Sequence, residues 1–129
     1  MTDRDKHGET IRELAESNPQ PRQAIREHAK EVFRKAREEG MDRGQAEELL
    51  DKVLAGMEEG LREAGLETRL ILIETIDAFI FVFGDILAQT EEALSSYAED
   101  LKAFVSRAVE AGETLRAALK KRRRPDGKD

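Results

Sequence analysis

Leu70-Ile-Leu-Ile-Glu-Thr-Ile-Asp-Ala-Phe-Ile-Phe-Val-Phe-Gly-Asp-Ile-Leu-Ala88 is an apolar block inside a chain that is 39% charged. A helix over these residues has too little polar surface to stand alone in water, so its apolar sides must be covered. Reading outward from the block, the apolar positions from Leu72 run Ile76, Phe79, Phe83, Ile86, Thr90, Leu94, Tyr97, Leu101, Phe104, Ala108, Gly112, Leu115 and Leu119. Their steps of three and four average close to the 3.6-residue helical turn. That rhythm predicts one long, nearly straight C-terminal helix, or alternatively a break between Gly84 and Ser96 that folds it back into a four-helix bundle. Such a helix, about 53 residues long, spans roughly 80 Å at 1.5 Å per residue.

Upstream, Asn18-Pro19-Gln20-Pro21 interrupts a short first helix over Glu9 to Ser17, because each proline disfavours helix in the residue before it. Pro21 suits the first position of a second helix, whose Ile25, Ala29, Val32, Phe33 and Ala36 share one side. Gly40 fits a left-handed stop with Met41 folding back, and Asp42 with Gln45 fits a capping box. The second and third helices are therefore expected as a tight hairpin, spanning roughly 28 and 33 Å. The third runs from about Arg43 to Ala64, with Gly65 as its stop and two internal glycines, Gly56 and Gly60, that suggest a close neighbour. A hairpin of that size covers less than half of the long helix.

The expected architecture is thus all-α: a helical hairpin plus one long amphipathic helix, completed by oligomerisation. Residues 1–119 form the helical domain, with 1–20 as a weakly ordered N-terminal segment and 120–129 as a basic tail. Ile76, Phe79, Ile80, Phe83, Ile86 and Leu87 are the expected seam between copies in a dimer or larger homo-oligomer. Phe81 points the other way, into the meridian of Glu74, Asp77 and Asp85, and is the expected contact for a second partner. Those three carboxylates read as the wet side of the helix, or else as a cation- or small-ligand-binding track.

Composition removes several function classes. With no cysteine, disulfides and thiolate metal sites are excluded. The histidines, His7 and His28, lack the partners of a Glu-x-x-His pair, since Arg4 and Ile25 stand where glutamate is needed. No phosphate loop, nucleophile elbow or zinc-helix motif occurs, so neither an enzyme, a cofactor nor a metal centre is expected. The turn at Ala36 to Gly40 has helix-turn-helix spacing, but Glu47, Glu48 and Asp51 would face phosphates, which excludes specific nucleic-acid reading. Three acids in the apolar block each cost roughly 2.5–3.5 kcal/mol in a bilayer, against a transmembrane helix. The N-terminus has no apolar core of a secretory signal, and a cytoplasmic location is expected.

Charge is uneven: net −6 overall, with 16 positive against 26 negative residues before Lys120. Lys120, Lys121, Arg122, Arg123 and Arg124 then form a run that complements a helix dipole or contacts an anionic surface. The stretch Ala78 to Leu119, with Ser95-Ser96-Tyr97-Ala98-Glu99, Phe104-Val105 and Ala108-Val109-Glu110-Ala111-Gly112, resembles the phasins, granule-coating proteins built of long amphipathic helices. The resemblance covers about a third of the chain and carries over no site residue. It implies a non-enzymatic oligomer adsorbed to a hydrophobic surface, a peripheral membrane or granule-surface protein. The leading expectation is a non-enzymatic interaction protein that self-associates through its apolar central helix.

Overall fold

A computed structural model describes the backbone of residues 3–122 and the side chains of residues 9–62 and 64–120. Six helices and no strand make up the described chain: α1 (Asp3–Ser17), α2 (Pro21–Glu38), α3 (Arg43–Ala64), α4 (Thr68–Leu87), α5 (Glu91–Glu110) and α6 (Leu115–Arg122). The all-α class read from the periodicity is correct. The local stops also act as their residue types require. Pro21 opens α2 and Gly40 follows its end at φ 85°. The Asp42 carboxylate accepts the Gln45 N–H at 2.8 Å, and the Gln45 side-chain oxygen accepts the Asp42 N–H at 3.0 Å. At Gly65 (φ 76°) the N–H groups of Gly65 and Leu66 reach the carbonyls of Arg62 and Leu61, a complete Schellman stop.

The single long C-terminal helix is corrected by two breaks: one at residues 88–90, inside the Gly84–Ser96 window of the alternative reading, and one at residues 111–114. At the first, the Thr90 hydroxyl accepts the Ala93 N–H at 3.1 Å and starts α5 with Glu91 and Glu92 in its first turn. At the second, Gly112 takes φ 78°, and the Gly112 and Glu113 N–H groups close a Schellman stop on Val109 and Ala108. Links of three and four residues are each close to one 3.6-residue turn, so the apolar spacing passes through them unchanged. The two least apolar members of the stripe, Thr90 and Gly112, are the cap and the stop.

Four helices form a ring in which α1 lies along α3 and against α2, α2 against α4, and α4 against α3. The helical hairpin of α2 and α3 has its expected turn, but the two helices stand across the ring from one another instead of side by side. The place beside α2 belongs to α4, because Phe33 packs edge-on to Phe79 (centroids 5.5 Å apart) and Phe83 (6.3 Å). α2 and α4 run parallel, since Arg22 meets Glu74 near one end and Arg37 meets Asp85 near the other. α5 folds back antiparallel on α4, with Leu94 against Gly84, Lys102 on Asp77 and Glu110 on Arg69. α6 closes against α3 and α5.

Here lies the main departure from the sequence reading. Ile76, Phe79 and Phe83 are wholly buried, Leu87 is buried, and Ile80 and Ile86 are half-buried against the same core. The chain's own helices cover the side chains expected to need a second subunit, because the break at residues 88–90 returns α5 onto α4 and α2 fills the other flank. Each such burial is worth about 1.5–3 kcal/mol, a gain already realised within one molecule.

Two polar groups join this interior. Thr75 bonds back to the Ile71 carbonyl at 2.9 Å, leaving its hydroxyl beside Met57 Sδ. Glu58, 8% exposed, accepts the Leu115 N–H at 2.8 Å and lies 3.3 Å from Arg62. A carboxylate from α3 thereby caps α6, where the helix dipole favours negative charge.

Candidate interaction surface

Phe81 is 85% exposed, the one exposed large hydrophobic among the described residues. The same helix buries Phe79 and Phe83, so the contrast is set by helical rotation: two residues turn the side chain by about 200°. Beside Phe81 lies an open groove of about 510 Å³ lined by Arg26, Lys30, Glu74, Asp77, Ala78 and Phe81. Arg26 and Lys30 come from α2, while the other four follow one another along α4. The parallel packing of α2 on α4 is what brings them together. Two cations and two carboxylates leave the lining neutral, in a chain whose net charge is −6.

The carboxylates of the meridian are engaged by their neighbours. Glu74 takes Arg22 at 2.6 Å and Arg26 at 3.6 Å, Asp77 takes Lys102 at 2.6 Å, and Asp85 takes Arg37 at 2.5 Å. The hydrogen bond and charge of Glu74 raise the Arg22 guanidinium pKa further above its ordinary value. A cation binding this track would have to displace fixed guanidinium and ammonium groups. Among the described residues no three His, Asp or Glu side chains converge in a way that could hold a metal ion.

The remaining residues singled out in the sequence lie elsewhere. His28 is half-buried on α2, and desolvation lowers its pKa, favouring the neutral imidazole. Lys120 is exposed and lines a second groove, between α3 and α6, together with Glu48, Asp51 and Arg116. Its surroundings therefore carry both signs of charge. The side chains of Lys121 and Arg122, all of Arg123 and Arg124, and the His7 side chain lie outside the described residues. Among those described, no helix is long and apolar enough to cross a membrane.

Sequence reasoning does not pick out Arg26 and Lys30, the α2 wall of the Phe81 groove. The available signal is the cationic row Arg22, Arg26, Lys30 and Arg34 at four-residue spacing, which marks one side of a helix. Nor does it find the tie between α3 and α5, where the Tyr97 hydroxyl donates to Glu47 at 2.8 Å beneath the Arg43 guanidinium.

The fold and surface define an all-α helical bundle with one exposed phenylalanine beside a neutral groove. Set against family models, curated proteins and solved structures, the chain matches none. The likeness to phasins is one of helical texture, and in the region that carries it the helix is broken twice.

Proposed function

We propose that this protein is a non-enzymatic interaction module that docks a partner protein on α4, with Phe81 as the anchor. One observation carries the reading: a phenylalanine 85% in water, on a helix that buries its two neighbouring phenylalanines. Aromatic residues, phenylalanine among them, are enriched at the buried centres of protein interfaces. The partner best suited to the groove is an amphipathic helix. It would set an apolar side chain against Phe81 and Ala78, and a carboxylate toward Lys30, whose ion pair with Glu27 is long, at 4.0 Å.

A photo-crosslinking phenylalanine analogue at position 81, in the otherwise intact chain, tests the proposal in cells. The expected result is an adduct of one defined mass, absent when the analogue is placed at exposed Glu92 on α5. Equal, scattered adducts from both positions would overturn it. Flotation with anionic vesicles checks the surface-binding alternative, for which co-flotation independent of Phe81 would be the supporting result.

A further inference from the structure

Four of the five links between helices hold a residue that ends a helix outright. Pro19 lies in the first, and Gly40, Gly65 and Gly112, all at positive φ, lie in three others. The α4–α5 link, Ala88-Gln89-Thr90, has neither glycine nor proline. Ala88 (φ −156°) and Thr90 (φ −124°) sit in ordinary extended backbone, and alanine and glutamine are good helix formers. The link is also three residues long, so α4 and α5 stay in apolar phase across it. Apart from the Thr90 cap, nothing local to these residues forbids continuous helix. What holds the turn closed is the Thr90 cap and the packing of α5 on α4.

We infer that residues 88–90 are a hinge through which the chain exchanges α5 and α6 with a second copy, giving a domain-swapped dimer. Opening the hinge straightens α4 and α5 into one helix and sends α5 onto the α4 of the other molecule. The contacts that fasten this arm are then remade between copies, among them Leu94 on Gly84, the Tyr97 hydroxyl on Glu47, Lys102 on Asp77, Glu110 on Arg69, and the Leu115 N–H on Glu58. The two hinges lie close to the dimer's two-fold axis, where the last carbonyls of α4 and the first N–H groups of α5 gain helical partners they lack in the closed turn. Exchange of an identical element between copies is a low-cost route to a dimer. The inference stands apart from the Phe81 reading, because the swap leaves Phe81 exposed.

The test uses the full chain, refolded from denaturant at high and low concentration and then sedimented. Refolding at high concentration is expected to yield a dimer that persists on dilution, since its release requires α5 to leave α4. Gln89→Pro puts a helix breaker in the straightened hinge and lowers the dimer association constant at least about a hundredfold. Thr90→Ala removes the cap of the closed turn and raises the dimer about fivefold per hinge. Because the chain has no cysteine, Asp77→Cys with Lys102→Cys supplies two unique thiols for a short crosslinker. In the isolated dimer the swap links 77 of one copy to 102 of the other, giving a covalent dimer on a denaturing gel. Only internally bridged monomers from that fraction, or no dimer from either the native chain or Thr90→Ala, would overturn the inference. Phe81→Ser leaves the swapped dimer intact, so loss of the dimer in that variant would also refute it.

Discussion

Phe79 and Phe81 stand two residues apart on one helix and have opposite fates. Phe79 is wholly buried between Phe33 and Phe83, whereas Phe81 is 85% exposed beside a neutral groove. The difference teaches that the apolar block is two surfaces. One is spent on the fold of the single chain, and only a narrow strip is left for anything outside it. Mutations on the two sides should therefore separate stability from binding.

The largest effect belongs to the buried side. Phe79→Ala should cost about 3–5 kcal/mol, because it leaves a cavity between two aromatic rings that cannot fully collapse. Chemical denaturation checks it, and a loss below about 1 kcal/mol would mean that the phenylalanine cluster is not the centre of the fold. Next comes Glu58→Ala, which leaves the Leu115 N–H without its carboxylate and should cost about 1–3 kcal/mol. Hydrogen exchange should then speed up in α6 before it does in α4.

A pH effect on the ring sharpens the comparison further. His28 has a folded-state pKa lowered by burial, so the unfolded chain takes up its proton first as pH falls. Stability contributed by the neutral imidazole is full above the ordinary pKa near 6.5 and declines as pH drops through that value toward the folded one. Melting temperatures from pH 8 to pH 5 should show this decline, and His28→Gln should flatten it. An unchanged slope in that variant would assign the acid sensitivity to other groups.

Effects on the outer strip should be smallest. Asp85→Asn loosens an exposed pair with Arg37 and should move stability by about 0–1 kcal/mol, shrinking further in high salt. Phe81→Ser should lie within about 0.5 kcal/mol of the native chain while removing the crosslinked partner. If it destabilises as much as Phe79→Ala, the two faces are not distinct.

Much of this arrangement is legible in the sequence. Pro21, Gly40, the Asp42–Gln45 box and Gly65 mark helix ends with residues that can do little else locally, and they act as their types demand. The outward position of Phe81 follows from its place on the acidic meridian. The break at residues 88–90 lies in the Gly84–Ser96 window that the sequence leaves open, but the apolar spacing does not select it. The break at 111–114 is hidden altogether, since links close to one turn in length preserve that spacing. Thr90 and Gly112 are the clues, a capping residue and a stop residue standing within an apolar series. The neighbours of α2 are not legible at all. Nothing in the capped turn at Gly40 to Asp42 says whether the next helix returns alongside or crosses the ring, a choice made by Phe33 meeting Phe79 and Phe83. The α2 wall of the groove depends on that choice, and so it stays hidden too.

The parallel course of α2 and α4 has a consequence for how the molecule assembles. Antiparallel neighbours joined by a short turn can zip together from the turn, and such local contacts make small helical proteins quick to fold. Here Phe33 waits for the chain to travel down α3 and start again before its aromatic partners exist. The rate-limiting step should accordingly be a three-helix event. Phe33→Leu should slow refolding in stopped-flow measurements, whereas changes at Leu94, in the local α4–α5 pairing, should chiefly hasten unfolding.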